Sequence, residues 1–242
     1  MILDLDIGNS RVKWRVTDAD GHIGQATCSS LDDLYTGALP PRDKGIRRVR
    51  VSSVRSSEIR ETVKAWAYSR YGVCAEFAVS TRQVGRVRNG YDSPEKLGVD
   101  RWLAILAAFE RVQASVCVFD FGSAMTIDMV DGEGTHLGGW IAPGIAMMRN
   151  SLSAGTDLVR FEPRGKAVSL HPARYTDGAV DSGVLAAAAG FALVGWRSFE
   201  RIAGHGHALV TGGDASDVLP VLEFPVAIAP SLVLDGLSLA LP

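Results

Sequence analysis

One pattern occurs twice in this chain. Residues 2–6 (ILDLD) form an apolar run that closes on Asp6, followed by Gly8-Asn9-Ser10, the alternating RVKWRVTD, the turn signal Asp18-Ala19-Asp20-Gly21 and HIGQATC. Residues 116–120 (VCVFD) close on Asp120 in the same way, followed by Gly122-Ser123, the strand-like MTIDMV, Asp131-Gly132-Glu133-Gly134 and THLGGWIA. Each copy reads as strand, glycine turn, strand, turn, strand, because apolar side chains alternate at period two and Gly and Asp tolerate the turn conformations. Asp6 and Asp120 lie 114 residues apart in a chain of 242, so each copy has a domain's length to itself. With helical stretches between the strand runs, the pattern predicts an α/β fold of two similar domains, residues 1–114 and 115–242.

The helical stretches carry apolar residues at helical spacing. Residues 56–72 do so at Ile59, Val63, Trp66 and Ala67, with Ser57 as a candidate N-cap, and residues 96–112 at Trp102, Ile105, Leu106 and Phe109. Pro143-Gly144 opens a helix through Ile145, Met148 and Leu152, Ala179 to Ile202 reads as a long Ala-rich buried helix, and residues 207–212 (HALVTG) read as a buried strand. Residues 154–175 read as a loop, and the final DGLSLAL as a helix packing back on a domain.

Composition excludes several classes. With 47% hydrophobic and 21% charged residues the chain is of ordinary globular type, neither disordered nor coiled coil. A net charge of −2 gives no global reason to expect nucleic acid or an anionic membrane. It does conceal an asymmetry: residues 1–115 hold 18 basic and 14 acidic side chains, residues 116–242 hold 7 and 13. Cys28, Cys74 and Cys117 are scattered without a CxxC spacing, so a reducing, cytoplasmic setting is expected. MILDLDIGNS does not read as a signal peptide, and the longest apolar stretch, Gly183 to Trp196, has 14 residues against the roughly 20 that a membrane helix needs. No HExxH, Walker A, GxGxxG or GxSxG pattern is present.

The chemistry is expected at the glycine turns. In both Asp6-Ile7-Gly8-Asn9-Ser10 and Asp120-Phe121-Gly122-Ser123-Ala124 a strand ends in a carboxylate where α/β sheets place ligands. The glycine then lets backbone N–H groups approach an anion, and the carboxylate can hold a cation or a water beside it. Thr211-Gly212-Gly213-Asp214 is a third such turn, with room for a flat nucleoside. Gly98-Val99-Asp100-Arg101 opens a helix; Asp100 is either a first-turn acid complementing the helix dipole or a general base for an alcohol, with Arg101 countering charge. Tyr91 is either a packed aromatic or a cleft wall, and Arg11 and Lys13 are either solvated or phosphate contacts.

Six ordered segments, DIGNSRVKW (6–14), NGY (89–91), LGVDRW (97–102), DFGSAMT (120–126), HLGGWIAPG (136–144) and TGGDA (211–215), resemble the type III pantothenate kinase family of the actin, sugar-kinase and Hsp70 ATPase superfamily. The resemblance implies two duplicated actin-like (ribonuclease H-like) domains with a nucleotide cleft between them. It also implies ATP-dependent phosphorylation of pantothenate, the first step of coenzyme A synthesis. On the same resemblance Asp6, Ile7, Gly8, Asn9, Ser10, Arg11, Val12, Lys13 and Ser123 bind ATP, with Asp6 near magnesium and Asp120 on a monovalent cation, potassium or ammonium. Asp100 is the catalytic base, and Tyr91, Gly98, Val99, Asp100 and Arg101 line the pantothenate site. Thr176, or alternatively Thr156, closes that site from the second subunit of a homodimer. Ser123 stands where the family usually has Thr. A nucleotide-binding regulator and a kinase or phosphatase acting on a sugar or polyphosphate are the competing readings.

Overall fold

The computed structural model describes residues 1–18, 21, 27–29, 45–155 and 169–242. The chain divides into two compact units, Met1–Glu110 together with Ser231–Pro242, and Arg111–Pro230.

In the first unit, β1 (Ile2–Ile7), β2 (Val12–Thr17) and β3 (Thr27–Ser29) form an antiparallel meander. β4 (Arg48–Ser53) joins the other side of β1 in parallel, α1 (Ser57–Tyr71) follows, and β5 (Ala75–Phe77) extends the sheet, giving the order β3-β2-β1-β4-β5. α1 starts where its sequence pattern indicates, but neither Ser57 nor the residue before it, Ser56, forms a side-chain cap. A small hairpin, β6 (Gln83–Val84) with β7 (Val87–Arg88), precedes α2 (Val99–Val112), which is buried without a break from Arg101 to Phe109.

Alternation gives β1 two different faces. Leu3, Leu5 and Ile7 join Val49, Val51, Val63 and Ala67 in an apolar core, each fully buried and each large aliphatic worth about 1.5–3 kcal/mol of transfer free energy. Asp4 and Asp6 occupy the opposite face.

The second unit repeats the plan. β8 (Val116–Phe121), β9 (Ala124–Val130) and β10 (His136–Pro143) form the meander. α3 (Ile145–Gly155) and α4 (Thr176–Ala203) come next. β11 (His207–Thr211) then joins β8 in parallel, and after the short α5 (Ala215–Val218) β12 (Ala227–Ile228) completes the order β10-β9-β8-β11-β12. The core gathers Cys117, Phe119, Phe121, Ile127, Val184, Ala188, Phe199 and Val210. Gly195 of α4 lies so close to the sheet that a Cβ there would come within 2.3 Å of the Ile127 side chain. By length and hydropathy α4 could cross a membrane, but Val180, Val184, Leu185, Ala188, Ala192 and Phe199 are committed to this core.

The final helix, α6 (Leu232–Ala240), departs from a division at residue 114: it packs on β1 and β4 of the first unit. The physical reason is a buried ion network. Asp4, fully buried, accepts from Arg15 at 3.2 Å and from Arg50 at 2.7 Å. Arg15 also donates to the Leu234 carbonyl and the Asp235 carboxylate, and Arg50 to the Leu241 carbonyl at 3.0 Å. On another side α6 approaches α2, where a Cβ on Gly236 would lie 2.1 Å from the Leu103 carbonyl oxygen.

Candidate active site

Asp6 is the fifth residue of β1, on the same face as Asp4 and two residues nearer the carboxyl end of the strand. Register sets its neighbours: Lys13 is opposite on β2 and Ser52 beside it on β4. The carboxyl pKa is raised from 3.8 to about 6, chiefly by burial, and the Asp100 charge adds to the rise while Lys13 and the Ser52 hydroxyl oppose it. Ser52 is itself fully buried, and among the described residues its hydroxyl meets no partner in good hydrogen-bond geometry. Two carboxylates, Asp6 and Asp100, thus come from sequence positions 94 apart into mutual electrostatic range.

The turn after β1 is closed by the Gly8 N–H donating to the Arg11 carbonyl at 3.0 Å, where a Cβ on Gly8 would press on that oxygen at 3.3 Å. Arg55 reaches across from the end of β4 to the Asn9 carbonyl at 2.7 Å and braces the loop. Asn9, Ser10 and Arg11 are exposed on it, Ile7 and Val12 are buried beneath it, and Lys13 is half-buried beside it.

Asp100 sits in the first turn of α2, where its Oδ1 accepts the Arg101 backbone N–H at 2.8 Å. A Cβ on Gly98 would stand 2.7 Å from that oxygen, so glycine there leaves the carboxylate its position. The Val99 side chain, one residue on, is half-buried. Arg101, 7% exposed, donates through NH1 to the Tyr91 hydroxyl at 2.9 Å, its guanidinium 5.8 Å from the ring centre. Asp6, Lys13, Tyr91, Gly98, Asp100 and Arg101 all belong to the first unit.

In the second unit Asp120 takes the place on β8 that Asp6 has on β1, flanked by Thr126 on β9 and the buried Thr211 on β11. Three turns meet beside it. The Gly144 N–H donates to the Ser123 carbonyl at 3.2 Å, and the Asp214 N–H to the Phe121 carbonyl at 2.8 Å. Gly144 and Gly212 could not carry a Cβ, which would fall 2.3 Å from the carbonyl oxygens of Gly122 and Phe121, and Gly212 has a left-handed φ of 102° besides. Gly144 reads from sequence as a helix opener; its tight seat on the 122–123 turn shows only in three dimensions. Ser123 is exposed on that turn, and Thr176 is exposed as the first residue of α4. Thr156 lies outside the described residues.

A family profile for type III pantothenate kinase matches residues 2–195. The chain belongs to that family. It is 40% identical over 255 residues to the type III pantothenate kinase of Pseudomonas savastanoi pv. phaseolicola and 39% identical over 248 to that of Pseudomonas syringae pv. syringae, covering all of this chain and 99% of each relative. Its fold is shared with a Campylobacter jejuni protein assigned to the Baf family of transcriptional activators, at TM-score 0.61 and 22% identity over 98% of this chain and 95% of that one. A Sinorhizobium meliloti protein assigned as a 2-dehydro-3-deoxygalactonokinase shares it at TM-score 0.59 and 13% identity, over 99% of this chain and 95% of that one. The α/β architecture is therefore actin-like, and the chain is an ATP-using kinase by family.

Among the described residues no three His, Cys, Asp or Glu side chains gather into a metal-binding group. Magnesium at kinase sites is held by one or two carboxylates together with substrate phosphates and waters. Asp6, half-buried at a strand end beside a glycine turn, is a donor of that kind.

Proposed function

We propose that the chain transfers the γ-phosphoryl group of ATP to the 4′-hydroxyl of pantothenate, with Asp100 as the base and the turn from Asp6 to Lys13 as the phosphate cradle. The observation that carries the reading is the match of residues 2–195 to the type III pantothenate kinase family, and the first unit also brings Asp6 and Asp100 close enough to feel each other's charge. Phosphoryl transfer of this kind passes through a loose transition state, so the protein has to position the groups and neutralise charge more than form covalent bonds.

Asp100 accepts the hydroxyl proton as the acceptor oxygen attacks. Lys13 and the N–H groups of the Gly8 turn would hold phosphate oxygens, and Asp6 would hold magnesium, which would supply charge neutralisation to the phosphates. Arg101, held against Tyr91, lines the pantothenate pocket with Gly98 and Val99.

Ser123 offers its exposed hydroxyl to ATP. Asp120, with threonines at the register positions on both neighbouring strands, is the ligand for a monovalent cation, potassium or ammonium. The enzyme works as a cytoplasmic homodimer in which Thr176 of one subunit completes the pantothenate site of the other. Trp140 and Ile141 on β10 and Met147 on α3 are exposed apolar side chains.

The test is a coupled ADP-release assay with pantothenate against a panel of sugars. Release that depends on pantothenate is expected; release with a sugar, or none with pantothenate, contradicts the reading.

A further inference from the structure

Asn89 is the buried first residue of the Asn89-Gly90-Tyr91 segment, 7% exposed. Its side chain is used at both ends. The amide nitrogen donates to the Thr81 carbonyl and to the Pro94 carbonyl, both at 3.2 Å, and Oδ1 accepts the Tyr91 backbone N–H at 3.0 Å. Its own backbone N–H donates to the Arg82 carbonyl at 2.9 Å, closing the β6–β7 hairpin. Ser80 adds a further tie, its hydroxyl donating to the Leu97 carbonyl at 2.7 Å. The stretch from residue 80 to 97 is therefore a loop laced to itself, with Asn89 the knot that joins the hairpin, the turn before α2 and Tyr91.

Tyr91 in turn receives the Arg101 guanidinium at 2.9 Å, one residue beyond Asp100. We infer that Asn89 is a positioning residue for the pantothenate site: its carboxamide fixes the loop that sets Tyr91, and Tyr91 fixes Arg101. The inference rests on the reading that Tyr91 and Arg101 line the pantothenate pocket. Asparagine suits the place chemically, since it supplies two donors and an acceptor on one short arm. Aspartate would set a charge against two carbonyl oxygens, and alanine would remove the Asn89 partner from the Thr81 carbonyl and the Tyr91 N–H and leave the Pro94 carbonyl with the Leu97 N–H at 3.2 Å.

Two measurements on Asn89→Ala test this. In the free protein, amide hydrogen exchange at Tyr91 should accelerate by about tenfold or more, the scale expected when a buried hydrogen bond is lost. In steady-state kinetics, the pantothenate KM should rise by about tenfold while the ATP KM and the saturated kcat stay within about twofold, and Asn89→Ala should add little to Tyr91→Ala. Asn89→Ser, whose hydroxyl can still accept from the N–H two residues on, should fall between wild type and Asn89→Ala and keeps the test alive if the alanine variant folds poorly. An unchanged Tyr91 exchange rate, additive kinetic effects of the two alanines, or equal losses in both KM values and kcat overturn the inference. Wild-type protein that turns over pantothenate alongside an Asn89→Ala variant with an unshifted pantothenate KM defeats the inference alone; wild-type protein inert toward pantothenate defeats the functional reading and the substrate half of this inference with it.

Discussion

Both units carry an aspartate at the fifth residue of the central strand, and the strands on either side decide what that aspartate can do. Beside Asp6 stand Lys13 and Ser52; beside Asp120 stand Thr126 and Thr211. Two residues earlier the divergence is wider. Asp4 lies between Arg15 and Arg50, whereas the matching Val118 lies between Asp128 and Leu209, and Asp128 is bonded to the buried His136 at 2.9 Å. One sheet order has thus been furnished with two sets of side chains. The first unit sets a lysine against its aspartate and adds a second carboxylate, Asp100, the setting in which we propose phosphate binding and proton uptake. The second unit sets threonines on both sides of its aspartate, the setting in which we propose a monovalent cation.

The comparison can be broken most forcefully at Asp4. Asp4→Val copies the second unit's Val118 into the first, but it strands Arg15 and Arg50, whose side chains are 5% and 6% exposed. Removing one partner from a buried ion network costs about 3–5 kcal/mol, so chemical denaturation should show a loss of that size. A loss under about 1 kcal/mol would mean that the network contributes little to holding α6 on the sheet.

At Asp120 the comparison concerns cations. Asp120→Asn should abolish most of the rate gain that potassium gives over sodium, measured at fixed magnesium, and should leave a folded protein. Equal rates of the wild type in the two salts would remove the reason for assigning Asp120 a cation.

The smallest effect is in stability against pH. The Asp6 carboxyl has an ordinary value of 3.8 and is raised to about 6 in the fold. Between those values the folded chain keeps a proton that the unfolded chain has released, so Asp6 lowers stability as pH rises through that window. In magnesium-free buffer Asp6→Asn should therefore melt above the wild type at pH 7, by on the order of 1 kcal/mol, with the gap closing at lower pH as the wild-type carboxyl takes up its proton in both states. A gap that widens on acidification would reverse the sign of the assigned environment.

Much of this was legible before the fold. Period-two alternation and the repeated Asp-x-Gly turn mark the duplicated meanders, and helical spacing marks α1, α2 and α4. What alternation does not reveal is which strands pair across long separations. The parallel joins of β4 to β1 and of β11 to β8 bring Ser52 and Thr211 beside the two aspartates, and neither residue stands out in its own segment. The recurrence of Asp4 with Asp6 and of Arg48 with Arg50 at period two is a signal of a charged sheet face, but charge on a strand more often faces water. Here α6 covers it, and α6 comes from the far end of the chain. Asn89 was visible only as part of a motif, because its role lies in bonds to Thr81 and Pro94.

The central claim is that the carboxylate at the start of α2 takes the proton of the acceptor alcohol. Asp100→Asn keeps the shape of that side chain and its oxygen for the Arg101 N–H. Its turnover of pantothenate and ATP, measured on protein whose melting temperature and oligomeric state match the wild type, should fall by about 10²-fold or more. Turnover near that of the wild type would contradict the assignment.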